Sequence, residues 1–144
     1  MLIVCQNALR CLEVIKDLKA LPGTRVAKLF ARHLKAPECA QALKQSTFQI
    51  GVGTPNRLVK LLKDFPDALV MRNLEVCILD TTYRDKKTLG ILQLDDVRRD
   101  LVALAELLCH DVTVDTEQGE GDTEQGDSKP KANKTAGPIE IYEF

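Results

Sequence analysis

The chain has 144 residues, 44% of them hydrophobic and 28% charged, with a formal net charge of −1. That length suits one domain rather than two, and the composition excludes a fibrous or wholly disordered chain. No apolar run approaches ~20 residues, which excludes a membrane-spanning helix, and 4% aromatics with no Trp argue against base reading mainly by stacking.

In chain order, Met1 leads straight into Leu2-Ile3-Val4-Cys5, with no basic stretch before it, so no secretory signal is predicted. Leu2 to Cys5 reads as a buried strand bounded by Gln6-Asn7. Asn7 suits the cap of a helix. Ala8, Cys11, Leu12, Ile15 and Leu18 then recur at helical spacing, until Pro22-Gly23 ends the pattern. Val26 to Ala31 is a second strand, and Ala36-Pro37 opens a second helix. Phe48 to Val52 is a third strand. Gly53-Thr54-Pro55 turns it into a helix striped by Leu58, Leu61, Leu62 and Phe65. Leu74 to Leu79 is a fourth strand, closed by Asp80. After a polar loop, the last helix runs from about Asp95 to Cys109.

Strand and helix thus alternate four times. The strands are apolar rather than alternating, as doubly buried strands are. This predicts an α/β domain over 1–110: a parallel sheet with helices on both faces.

From Asp111 the composition changes. D-T-E-Q-G occurs at Asp115 to Gly119 and again at Asp122 to Gly126, followed by a stretch rich in Lys, Pro, Asn and Gly. Such a segment buries too little apolar surface to offset its chain entropy. We therefore expect a disordered acidic tail over 111–144. Its ending, Ile139 to Phe144, alternates apolar and acidic residues, which leaves open an added edge strand, docking on a partner or, the commoner case, a frayed terminus.

Charge divides along the same boundary. Residues 1–110 carry 17 Lys+Arg against 12 Asp+Glu, whereas 111–144 carry 3 against 9. A basic body suggests polyanion contact that the tail could screen; the alternative is a soluble domain that simply carries a solvated tail. The five cysteines form no C-x-x-C pair, and Cys5 and Cys77 sit in apolar runs, which is usage typical of a reducing compartment. With only His33 and His110 to join them, no metal site is expected.

Ligands of open parallel sheets bind beyond the carboxyl ends of the strands. The most informative segment there is Gly51 to Arg57. Two glycines would let backbone approach a ligand, Thr54 suits an N-cap, and Pro55 suits the first helical position. The free amides and dipole of that helix start favour a phosphate, with Arg57 adding a charged fork. The alternative is that Thr-Pro simply starts a helix well. A second basic group gathers Arg25, Lys28, Arg32, His33 and Lys35, and a third is Arg84-Asp85-Lys86-Lys87. Neither a G-x-x-x-x-G-K-[ST] loop nor a complete G-x-G-x-x-G is found. Asp80 stands where nucleotidases hold metal, yet Thr81 follows it and not a second acid.

These residues resemble a known group. "IGVGTPNRL" is similar to the G-T-P-G-R segment of DEAD-box helicases, with Asn56 in place of Gly. Strand "VCILD" resembles the one ending in their Asp-Glu-Ala-Asp motif, here Asp80-Thr81-Thr82-Tyr83. The closer resemblance is to the Cms family of ribosomal small-subunit biogenesis proteins, degenerate relatives of the helicase core. It is carried by "LIVCQNALRCLEV", "VAKLFARHLK", "IGVGTPNR" and "ILDTTYRDKKTLGI", between Leu2 and Leu108.

The resemblance implies a RecA-like half-domain without its phosphate loop, nuclear and nucleolar residence, and small-subunit assembly without catalysis. The implied partners are pre-ribosomal RNA and assembly proteins, with no cofactor and no small-molecule substrate. Its candidate RNA-binding residues are Gly53, Thr54, Pro55 and Arg57 from the helicase-like segment. Arg10, Lys28, His33, Lys35, Asp85, Lys86 and Lys87 come from the Cms-like strings. Two alternatives stay open: a scaffold held by protein contacts alone, and a truncated ATP-dependent helicase.

Overall fold

The structure, a computed structural model, describes residues 1–32, 34–70, 73–110 and 140–143. Its elements run β1 (Leu2–Val4), α1 (Ala8–Leu18), β2 (Val26–Leu29), α2 (Ala36–Gln45), β3 (Ile50–Gly53), α3 (Pro55–Asp64), β4 (Val76–Leu79), α4 (Asp95–His110) and β5 (Glu140–Glu143). The strands lie in the order β2-β3-β1-β4-β5, and every pair is parallel. The α/β class and the four strand–helix units match the sequence expectation, with strand ends displaced by up to two residues.

Strand order decides where the helices go. The chain steps one way from β1 to β2, then the other way through β3, β4 and β5. Right-handed crossovers therefore put α1 on one face and α2, α3 and α4 on the other. The core divides accordingly. Leu2 and Val4 of β1 pack with Cys39, Ala40, Leu58, Leu61, Leu104 and Leu108 beneath the three helices. Ile3 and Cys5 pack with Cys11, Ile15, Phe30, Ile50 and Val52 beneath α1 alone.

Cysteine serves as filler in both layers. Cys5, Cys11, Cys39 and Cys77 are buried and free. The hydrogen bond that its thiol shares with neighbouring Cys5, together with burial, pushes Cys11 up. Burial raises Cys77 to about 11. The Cys11 and Cys77 thiols therefore stay protonated at neutral pH.

Glu140–Glu143 pairs on the sheet edge, with Val76 opposite Glu140 and Leu79 opposite Glu143, which corrects the disorder expected over 111–144 at these four residues. The disorder expected for 111–139 and for Phe144 lies outside the described residues.

Candidate nucleic-acid interface

The end of β1 and the end of β4 are tied together. Asn7 caps α1, its side chain accepting from the amides of Leu9 and Arg10 at 3.0 Å each. That fixes the first turn, and Arg10 reaches across to Asp80, Nε to Oδ2, at 2.6 Å. The other Asp80 oxygen accepts from the Thr82 hydroxyl at 2.7 Å and the Thr82 amide at 3.2 Å. Asp80 is 4% exposed. Burial by itself would raise its carboxyl, but the Arg10 and Thr82 hydrogen bonds outweigh that and hold it below its ordinary 3.8. The bond to Asp80 raises the Arg10 guanidinium in turn. Both carboxylate oxygens thus have protein partners. Arg10 also meets Glu13 at 3.3 Å and lies 5.7 Å from the centre of the Tyr83 ring. Among the site candidates, Arg10 is a strut between two strand ends.

The loop after β4 is built by Asp85. Its Oδ1 accepts from the amides of Lys87 (2.8 Å) and Leu89 (2.9 Å), and Thr88 takes a left-handed φ of 64° to close the turn. Fully buried Ile91 pins the far end. The Gln6 amide holds the Leu89 carbonyl at 3.3 Å. Asp85 therefore shapes the loop, and Lys86 and Lys87 stand exposed on it.

The turn after β3 differs most from the sequence expectation. A Cβ on Gly53 would lie 2.6 Å from the Leu29 carbonyl oxygen, and one on Gly51 would lie 2.9 Å from Leu29 Cδ1. The close approach of β2 leaves no room for a side chain at either position, a packing reason for the glycines beside the ligand approach expected of them. Thr54 donates its amide to the Leu29 carbonyl at 3.2 Å, and its side chain makes no capping bond. Pro55 is fully buried.

Arg57 is 7% exposed, so its fork is not offered to solvent as expected. One nitrogen donates to the Leu34 carbonyl at 2.9 Å, and the other, Nη1, has no partner among the described residues. Arg57 thus holds the loop that leads into α2. There the Glu38 carboxylate accepts from the Lys35 amide at 2.9 Å, and the Lys35 side chain stands in solvent. His33 lies outside the described residues.

Lys28 sits in the middle of β2, opposite Val52, and is exposed. Its neighbours Ala27 and Leu29 enter the three-helix core, so strand alternation sends Lys28 to the α1 side. There it lines a cleft of about 360 Å³ with Lys16, Lys19, Arg32 and Tyr83. Lys16 and Lys19 were not singled out from the sequence. The available signal was a lysine in an otherwise apolar strand, which marks a position at the sheet edge that α1 leaves open to solvent.

Residues 1–123 match the model of a family described as "CMS1: U3-containing 90S pre-ribosomal complex subunit". The chain is 36% identical over 107 residues to Protein CMSS1 of Danio rerio, covering 74% of this chain and 36% of that one. It is 33% identical over 108 residues to Protein CMSS1 of Homo sapiens, covering 74% and 38%. To Protein cms1 of Schizosaccharomyces pombe it is 32% identical over 103 residues, covering 70% and 36%. The chain thus spans little more than a third of these relatives. With the family model matched across both the strand ends and the loops that join them, the chain belongs to the CMS1 family of 90S pre-ribosomal complex subunits.

Proposed function

We propose that this chain is a non-catalytic assembly factor of the small ribosomal subunit, binding pre-ribosomal RNA and assembly proteins in the nucleolus. Residues 1–110 are the binding unit, and the acidic stretch after them screens its charge. The observation that carries the reading is the state of Asp80. At the strand end where a nucleotidase holds metal, this carboxylate is occupied by Arg10 and Thr82, and no second acid follows it. What the surface offers instead is cations: Lys28, Lys35, Lys86 and Lys87 all face solvent. Gly53, Thr54, Pro55 and Arg57 act behind them, setting the turn and the loop from which Lys35 projects. Contacts of this kind position a phosphate chain and carry little sequence information.

Binding of single-stranded RNA at several salt concentrations tests the reading. Affinity falls with salt, with a log–log slope of about −0.7 per phosphate contact. A flat response overturns RNA binding, and RNA-stimulated ATP hydrolysis above background would revive the helicase alternative. The alternative is a scaffold held by protein contacts alone. Cross-links to protein peptides and never to RNA would select it.

A further inference from the structure

We infer that the cleft between α1 and the edge strand β2 is a track for a single strand of RNA, a site distinct from the turn after β3. The inference rests on the RNA-binding reading above and says where and how the strand lies.

The cleft follows from the topology. Among the described residues only α1 covers its face of the sheet, and it packs through Cys11 and Ile15 on Ile3, Cys5, Ile50 and Val52 of β1, its continuation and β3. The edge strand β2 is left with little cover, and Lys28 emerges where a helix would otherwise demand an apolar side chain. Along the opposite wall Lys16 and Lys19 stand three residues apart, on one side of α1. Arg32 follows the end of β2.

All four cations are exposed, and none forms an ion pair with a described residue. Elsewhere on the surface Lys44, Lys60, Arg98 and Arg99 each have a carboxylate within 4.0 Å. The one acid lining the cleft, Glu13, is already bridged to Arg10. Because Arg10 is shared with Asp80, Glu13 keeps part of its charge, and the cleft lining sets four cations against one acid, a net positive field.

The shape favours a chain over a lone phosphate. From Leu9 to Lys19 the helix wall is about 15 Å long. At its start Leu9 is 56% exposed beside Tyr83, whose ring Arg10 steadies from the Asp80 strut. A nucleic-acid strand alternates phosphates with flat bases, so one strand satisfies the lysines and places a base against Tyr83 and Leu9 together. With a single ring available, stacking adds grip at one end, and the backbone supplies the rest.

The test uses the full chain and a fluorescent single-stranded 12-nucleotide RNA, read by anisotropy across a salt series. Lys28→Ala and Arg32→Ala each make the log–log slope shallower by about 0.7, and the Lys16, Lys19, Lys28 and Arg32 quadruple alanine variant weakens binding at least tenfold. Tyr83→Leu weakens binding severalfold with the slope unchanged, and Tyr83→Phe restores it. Thermal melting monitors folding, which substitution of these exposed cations leaves intact. The inference is overturned alone if the quadruple variant binds as wild type while a Lys35, Lys86 and Lys87 triple alanine variant loses RNA. It falls together with the RNA reading if wild type binds no RNA. Binding of polyglutamate, abolished in the quadruple variant and accompanied by no RNA binding, would assign the cleft to an acidic protein segment and overturn it as well.

Discussion

The turn after β3 and the cleft beside α1 make an instructive pair. The turn carries the motif: two glycines, a threonine, a proline and an arginine in a pattern that favours phosphate. Yet each of its parts has an internal task. Gly53 admits Leu29, the Thr54 amide completes the pairing to β2, Pro55 is buried, and Arg57 holds the Leu34 carbonyl. The cleft carries no motif at all. Its cations come from a helix, an edge strand and a turn, and none has a carboxylate partner among the described residues. A motif shows which residues are constrained, and only packing shows whether the constraint comes from a ligand or from the protein itself.

The contrast can be broken most forcefully at Gly53. Gly53→Ala drives a methyl group into the Leu29 carbonyl and costs about 3 kcal/mol in denaturant unfolding. A stable Gly53→Ala protein that loses RNA would return the turn to the ligand.

Next is Asp80→Asn, which removes the charge that Arg10 faces and costs about 2 kcal/mol. The figure is kept low because the Arg10 side chain is 26% exposed and retains Glu13. The Asp80 carboxyl is held below its ordinary value, so its stabilisation is complete at neutral pH and disappears as the pH falls through the lower folded value. Acid unfolding curves of wild type and Asp80→Asn should therefore start to approach each other only below about pH 4 and meet below the lowered folded value.

Arg57→Met is smaller again. It leaves the Leu34 carbonyl without its donor and costs about 1 kcal/mol, while the salt slope of RNA binding stays at the wild-type value. A slope shallower by about 0.7 would show instead that Arg57 reaches a phosphate.

The smallest effect sharpens the other side. Between Asp111 and Asp127 the chain has seven acids and no Lys or Arg. Changing Asp115, Glu117, Glu120, Asp122, Glu124 and Asp127 to their amides should tighten RNA binding about threefold at low salt. The gain should vanish near 1 M salt, where screening acts within about 3 Å.

Much of the fold was legible. The apolar runs at Leu2, Val26, Phe48 and Leu74, with leucine stripes between them, specify four parallel strands and their crossovers. Asn7 and Pro37 mark helix starts because capping is local chemistry, complete within a few residues. The candidate site was legible in part. Lys28, Lys35, Lys86 and Lys87 are on the surface as expected, whereas Arg57 and Arg10 turned to partners 23 and 70 residues away in the chain. Lys16 and Lys19 drew no expectation, because nothing in their own neighbourhood records that Lys28 of the edge strand stands exposed beside them.

The sequence by itself determined the α/β class, the basic body and the acidic stretch, since periodicity and charge are written along the chain. Tertiary structure alone decided that Asp80 would be sealed by Arg10, that Gly53 would face Leu29, and that four scattered cations would share one cleft. The physical reason is strand order: by placing β3 and β1 between β2 and β4, and α1 alone on its face, it sets distances that no local pattern encodes.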